Sequence, residues 1–370
     1  KIMEGNMGEV YTFIVNGQKI ETSQDKNLLD FLRDDLGLIS VKNGCKEGAC
    51  GTCTVLIDGK AMKSCIFTTK KIDGKEIGTI EGFSERDKSV FAYAFTECGA
   101  VQCGFCIPGM VIAAKSLFLK TLAPTREEVK KALVGNVCRC TGYVKIEEAI
   151  LLAAELFREN KEVPETQCAG LVGTHVPRVD GAVKTLGTAK YAEDYKEDGM
   201  YYGSAVRTKY PRAKVLSIDY SEALKLDGVL GVLTAADVPG KNNIGHLEFI
   251  SDWDALIPVG GITRYIGDAV ALVAAKDKKI LEEAKKLVKV EYEELEGLFT
   301  IEDAMADGAP LIHSKPNNVL VREVLKRGDY EGALLNSKYK VTNVYETPAT
   351  EHAYLEPESA LAMPDGNGGI

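Results

Sequence analysis

The sequence is poor in histidine, with four in 370 residues, and it has a single tryptophan. His175, His246, His313 and His352 are scattered, and none shows the spacing of metal ligands on one helix face. Long apolar runs are missing as well. The longest candidate, Ala269 to Ala275, has the length of a buried strand and not the ~20 residues of a membrane span. There is no excess of positive charge: the formal net charge is -9 and the pI near 5.3, which argues against a general nucleic-acid surface. No G-x-G-x-x-G dinucleotide fingerprint occurs anywhere. Lys1 to Gly8 lack the apolar centre of a secretory signal, so a cytoplasmic location is the expectation.

Cysteine is what the sequence has in quantity. Of ten cysteines, nine fall between positions 45 and 140 and only Cys168 lies beyond. A disulfide framework belongs to short secreted chains. Tight, glycine-flanked clusters in a chain this long read instead as metal binding. Hydrophobic content of 45% and charged content of 27% are those of a soluble globular protein. The length suggests two or three domains.

Strand-like runs fill the first part. Thr12 to Val15 and Gln18 to Glu21 flank Asn16-Gly17, a hairpin signal. Thr54 to Ile57 and Lys60 to Cys65 flank Asp58-Gly59 in the same way. Between them, Leu28, Leu29, Leu32 and Leu36 recur at helical spacing over Asn27 to Leu36. A small β-grasp-like domain over 8–83 follows. From Ser84 the period becomes helical. Ser84 with Asp87 and Thr125 with Glu128 fit helix N-caps. Pro108 opens an apolar helix through Leu119, and Lys145 to Arg158 is amphipathic, which predicts a four-helix bundle over 84–160. Residues 161–177 read as a linker. Beyond it, strands at Gly199–Arg207, Val215–Asp219, Gly228–Thr234 and Ala269–Ala274 alternate with helices at Lys278–Leu287 and Ile301–Met305, an α/β domain.

Cys45, Cys50 and Cys53 stand in C-x4-C-x2-C order, the spacing of plant-type ferredoxins. Three thiolates must converge from one loop, and Gly44, Gly48 and Gly51 are expected to supply the positive φ angles of such a wrap. The Asp58-Gly59 turn returns Cys65 towards Cys53 as the fourth ligand. A zinc site would pair two C-x2-C knuckles, so the four-residue spacing favours a 2Fe–2S cluster. The second group, Cys103 and Cys106 with Cys138 and Cys140, precedes two helices. Helix N-termini offer free N–H groups to an anionic centre. Taken alone, this C-x2-C plus C-x-C set fits either zinc or a second cluster.

Gln102-Cys-Gly-Phe-Cys-Ile-Pro-Gly109 and Gly135-Asn-Val-Cys-Arg-Cys-Thr-Gly-Tyr143 resemble the signature of the molybdenum hydroxylases, the family of xanthine dehydrogenase and aldehyde oxidoreductase. The resemblance implies a second 2Fe–2S cluster at Cys103, Cys106, Cys138 and Cys140, nearer to molybdenum than the first. It also implies that Gln102 and Cys138 approach a molybdopterin cofactor. Arg178-Val-Asp-Gly181, Gly187-Thr-Ala-Lys-Tyr191 and Tyr265-Ile-Gly-Asp-Ala269 are similar to the family's α/β hammerhead domain, over 178–314. Glu351-His-Ala-Tyr-Leu-Glu-Pro-Glu358 resembles the opening of its molybdopterin-binding region, over 315–370. The expected fold is therefore multidomain α+β: a β-grasp ferredoxin-like domain, a helical 2Fe–2S bundle, a hammerhead domain and a molybdopterin-binding region cut short at Ile370.

Several functional expectations come with the resemblance. The activity is hydroxylation of a purine-like heterocycle, with an aldehyde substrate as the alternative. A flavin-free bacterial layout, including a selenium-dependent branch, is the nearest subgroup. FAD is not expected in this chain, so electrons should leave to a separate flavin subunit or another acceptor. The catalytic half is expected in a further molybdenum-binding region or subunit, with no catalytic residue here. A non-catalytic subunit that docks a separate molybdenum-binding chain is the third reading. Neither nucleic acid nor membrane is an expected partner. Cys98 reads as a half-buried helix cysteine, Cys168 as a linker thiol, and Trp253 as an anchor in an irregular insert.

Overall fold

A computed structural model describes residues 9–165, 170–244 and 253–370. Cys168 and His246 lie outside the described residues. The chain divides into two compact units, one of residues up to Tyr195 together with Glu346–Ile370, the other of Lys196–Tyr345.

In the first unit, Asn16 and Gly17 take φ of 50° and 80° and turn β1 (Tyr11–Val15) back into antiparallel β2 (Gln18–Thr22). Two consecutive left-handed residues match the natural twist of paired strands, and Asn-Gly adopts them at least cost. Asp58 and Gly59, at 49° and 76°, do the same between β3 (Thr54–Ile57) and β4 (Lys60–Lys63). The short β5 (Glu76–Gly78) runs parallel to β1 and antiparallel to β3, giving the order β2-β1-β5-β3-β4. Alternation sends Phe13, Val15, Val55 and Ile57 inward, where they meet Leu28, Leu29 and Leu32.

Those leucines sit on an element that differs from expectation. The Asn27 side chain accepts the Leu29 N–H and opens α1 (Leu28–Asp30), but the next residues, Phe31–Asp35, form a wider π-turn. One such helix laid on a mixed sheet is the β-grasp arrangement.

The bundle has α2 (Glu85–Glu97), α3 (Ile107–Phe118), α4 (Arg126–Leu133) and α5 (Val144–Arg158). Ser84 accepts the Asp87 N–H, and Thr125 with Glu128 forms a reciprocal capping box. At the centre Phe91 touches the rings of Phe83, Phe118 and Phe157, with centroids 6.0, 5.7 and 5.7 Å away. A short helix, α6 (Gly181–Thr185), follows later in the same unit.

In the second unit β6 (Tyr202–Arg207), β11 (Ala269–Ala275) and β8 (Val229–Leu233) form an antiparallel sheet with β11 in the middle. Leu281 and Ala284 of α7 (Lys278–Leu287) bury against Val232, Ala271 and Val273. β7 (Ala213–Asp219) pairs with β12 (Lys289–Glu294), and β9 (Asn243–Ile244) with β10 (Trp253–Asp254). Trp253 is 48% exposed and meets Tyr265 edge-on at 5.9 Å, so it lies on a two-stranded antiparallel pair and not in a buried core. The short helices α8 (Ile301–Met305) and α9 (Tyr330–Asn336) complete the unit. Among the described residues no helix is long and apolar enough to cross a membrane.

Candidate metal centres

The loop from Gly44 to Cys53 wraps as the glycines demand, though not by one device. Gly48 and Gly51 take φ of 75° and 76°. Gly44 does not: a Cβ there would lie 2.9 Å from both Cys50 Sγ and Thr52 Oγ1. Close approach, and not a positive φ, requires glycine at 44, while Lys46 supplies the third left-handed residue at 57°. The wrap aims amides at sulfur. The Glu47 and Cys50 N–H groups donate to Cys45 Sγ at 3.4 and 3.3 Å. Burial pushes the Cys45 thiol up, but the Cys50, Glu47 and Ala49 amides outweigh it and bring it to about 7. Cys53, buried beside Cys65, is pushed up to about 12 by desolvation. The sulfurs of Cys45 and Cys50 interact, as do those of Cys53 and Cys65.

The second set closes in the same two-plus-two pattern. Cys103 and Cys140 have sulfurs 3.7 Å apart, and the Cys106 thiol hydrogen-bonds Cys138 Sγ. Two thiolates on one tetrahedral ion with bonds of about 2.3 Å lie roughly 3.75 Å apart, so the first pair already has that separation. Hydrogen bonding to Cys138, with burial, drives Cys106 up; the same bond holds Cys138 down to about 5. Burial raises Cys103 to about 11. A 2Fe–2S core needs only two thiolates on each iron, and the donor set fits it. All nine described cysteines are free thiols.

Cys106 is the residue directly before α3, and its side chain makes no capping hydrogen bond. Cys138 and Cys140 stand further from α5, whose entry residue is Tyr143 with φ of 72°. A positive φ is unusual for a bulky residue, and here a hydroxyl accounts for it. Tyr143 Oη accepts the Cys138 N–H at 2.8 Å and donates to the Asn136 carbonyl at 3.2 Å, tying the ligand loop into a closed ring. Gln102 is exposed; its backbone carbonyl accepts from Lys184 Nζ at 3.4 Å, and its side chain takes no part in the cysteine contacts. Cys98 ends α2 half-buried, as expected of a structural cysteine.

The two loops meet directly. The Val137 N–H donates to the Cys50 carbonyl at 2.8 Å, and Asn136 Nδ2 to the Gly51 carbonyl at 2.9 Å. Asn136 Nδ2 also reaches Thr54 Oγ1 at 3.2 Å. A Cβ on Gly51 would stand 2.2 Å from the Gly135 carbonyl, and one on Gly109 would stand 2.5 Å from the Gly51 carbonyl. Asn136 lay within the recognised motif, but nothing in a single sequence assigned it a partner 85 residues away.

Sequence reading also missed a buried charge cluster. Lys42 is fully buried and its ammonium contacts Asp194 Oδ2 at 3.0 Å and the Ala189 carbonyl at 3.3 Å. Arg33 binds the other Asp194 oxygen at 2.6 Å. The only hint was a lysine directly after the uncharged run Leu38 to Val41, next to the cysteine loop.

A β-grasp and a helical domain, each with four cysteines gathered in its loops and followed by an α/β unit, define a two-centre iron–sulfur oxidoreductase architecture. Comparison with known proteins agrees. Residues 13–78 match the 2Fe-2S iron-sulfur cluster binding domain, 79–151 the second 2Fe-2S binding domain, and 186–296 the aldehyde oxidase and xanthine dehydrogenase a/b hammerhead domain. The chain is 33% identical over 376 residues to aldehyde oxidoreductase from Megalodesulfovibrio gigas, covering 96% of this chain and 41% of that protein. It is 48% identical over 144 residues to the nicotinate dehydrogenase small FeS subunit of Eubacterium barkeri, covering 38% of this chain and 92% of that subunit. The solved aldehyde oxidoreductase from Desulfovibrio gigas superposes with a TM-score of 0.79 at 32% identity, over 90% of this chain and 39% of that one. The chain belongs to the molybdenum hydroxylase family. It spans well under half of the aldehyde oxidoreductase it matches.

Proposed function

We propose that this chain is the electron-transfer portion of a molybdenum hydroxylase acting on a purine-like heterocycle. Cys45, Cys50, Cys53 and Cys65 hold one 2Fe–2S cluster, and Cys103, Cys106, Cys138 and Cys140 hold the other. Bound there, each cluster supplies a one-electron carrier whose potential follows burial, N–H···S bonds and nearby charge. The observation that carries this reading is the seam between the two loops. Cys50 and Cys138 are joined through one 2.8 Å hydrogen bond from Val137, so the two centres share a short through-bond path.

The protein's own residues supply the rest. Amides of Glu47 and Cys50 stabilise a thiolate at Cys45, and Tyr143 with Thr141 orders Cys138. Gln102 and Cys138 approach the molybdopterin of the complete enzyme, contributed by a further region or subunit. The acceptor is a separate flavin subunit or another redox protein, and the compartment is the cytoplasm. Domain limits near 83, 160, 177 and 314 complete the reading. A second reading, an aldehyde substrate, is favoured by the likeness to aldehyde oxidoreductase along nearly the whole chain.

The test is metal content and EPR of the dithionite-reduced protein. About four irons per chain and two distinct signals are expected. Stoichiometric zinc without visible absorbance would end the proposal. In the complete enzyme, turnover of xanthine against an aldehyde separates the two substrate readings.

A further inference from the structure

The segment from α6 to Asp194 lies along both ligand loops. On the ferredoxin-like side, a Cβ at Gly187 would meet Ser40 Cα at 2.6 Å, and Asp194 binds Lys42 and Arg33. Lys42 in turn is fastened to the first cysteine loop: Thr52 Oγ1 donates to the Lys42 carbonyl at 3.1 Å and also contacts Cys50 Sγ at 3.3 Å. On the helical side, a Cβ at Gly104 would run into Lys184 at 2.8 Å. Tyr191 Oη donates to the Cys103 carbonyl at 2.7 Å, and its ring meets Phe105 edge-on at 5.2 Å.

One residue links the two sides. The Lys42 ammonium stands 4.8 Å from the centre of the Tyr191 ring, a cation–π contact, while Asp194 accepts the Tyr191 N–H at 3.0 Å. Tyr191 is buried. Its ring is thereby gripped by a buried ion pair that belongs to the first loop, and its hydroxyl is delivered to the second.

We infer that Tyr191 is a positioning residue for the Cys103 loop, held in place by the Lys42–Asp194 pair, and that through it the first loop sets the potential of the second cluster. The inference rests on the cluster assignment proposed above. The hydroxyl directs its positive end at a carbonyl of a ligand residue, which favours the more negative, reduced state of a nearby cluster. Removing it lowers the reduction potential. The Lys42 charge acts in the same direction, and through the ring it also fixes where the hydroxyl stands.

Tyr191→Phe keeps the ring and deletes the donor. In the full chain carrying its iron, one of the two EPR signals should shift in g-values and titrate at a more negative potential. That signal should be the one abolished by Cys103→Ser, and the other should stay unchanged. Lys42→Met should move the same signal in the same direction. Hydrogen exchange in the same iron-loaded chain gives an independent reading. Amides of residues 103–106 should exchange roughly two- to tenfold faster in Tyr191→Phe, the worth of one neutral hydrogen bond, with α4 unaffected. Two signals present and neither moved, or unchanged exchange at 103–106, would overturn the positioning role. Absence of both signals in the unsubstituted protein would instead overturn the cluster assignment.

Discussion

The Val137 amide donates to the Cys50 carbonyl across 2.8 Å. That bond joins the two cysteine loops through main-chain atoms, and Asn136 beside it adds side-chain links to the Gly51 carbonyl and the Thr54 hydroxyl. Asn136 is 5% exposed and serves two acceptors. Asn136→Ala removes one donor from each, while the Gly51 carbonyl keeps the Thr54 hydroxyl at 2.6 Å, so unfolding free energy should fall by about 1–2 kcal/mol. Urea denaturation of the iron-free chain measures it. A loss below half a kcal/mol would mean that water replaces the amide.

Gly51→Ala should be more damaging to iron binding than to the rest of the fold. The new methyl would sit 2.2 Å from a backbone carbonyl at a φ of +76°, and the left-handed conformation alone costs ~1–2 kcal/mol. The loops must part to accept it. Iron retained after gel filtration should drop, whereas far-ultraviolet circular dichroism should not change. Full iron occupancy would show that the seam tolerates separation.

Asp194 makes a pH-dependent contribution of predictable sign. Burial works against its charge, yet the Tyr191 amide, Arg33 and Lys42 hold its carboxyl below the ordinary carboxylate range. A carboxyl depressed in the folded state contributes fully above its unfolded value of ~3.9 and loses that contribution as the pH falls through the folded value. Asp194→Asn leaves Lys42 buried against a weaker partner, so a loss of about 3–5 kcal/mol at neutral pH is expected. The two proteins should converge as the pH drops below ~4. Melting curves across that range decide it, and a gap independent of pH would assign the loss to packing.

Much of this was legible beforehand, for reasons that can be named. Asn16-Gly17 and Asp58-Gly59 announce their hairpins because few other pairs adopt two left-handed residues cheaply. The Thr125 and Glu128 box is local, so three residues suffice to see it. The C-x4-C-x2-C loop is visible for the same reason, whereas joining Cys103 and Cys106 to Cys138 and Cys140 as one 2Fe–2S set came only with the family resemblance. Lys42 and Asp194 were invisible because their relationship spans 152 residues, and a lysine is ordinarily read as solvated. Gly44 was given the right role for the wrong cause: composition cannot distinguish a residue that needs a positive φ from one that needs an absent Cβ. The π-turn at Phe31–Asp35 escaped because its apolar spacing still satisfies a helical period.

Arg139, between Cys138 and Cys140, reaches in another direction. Its guanidinium donates to the carbonyls of Glu351 and His352, both at 3.0 Å. Arg139→Ala should expose residues 351–358 to limited proteolysis several-fold faster, with a stability loss of only about 1 kcal/mol. Unaltered cleavage would show that other contacts, such as Leu355 on the bundle core, suffice.

Because the Val137 link is built from peptide groups, the identity of the side chain at that position is immaterial to it. Val137 points 43% of its surface to solvent, free to become almost any residue but proline, which has no amide hydrogen. Evolution can therefore repaint the outside of this junction, and with it whatever the surface greets, while the wiring underneath stays fixed.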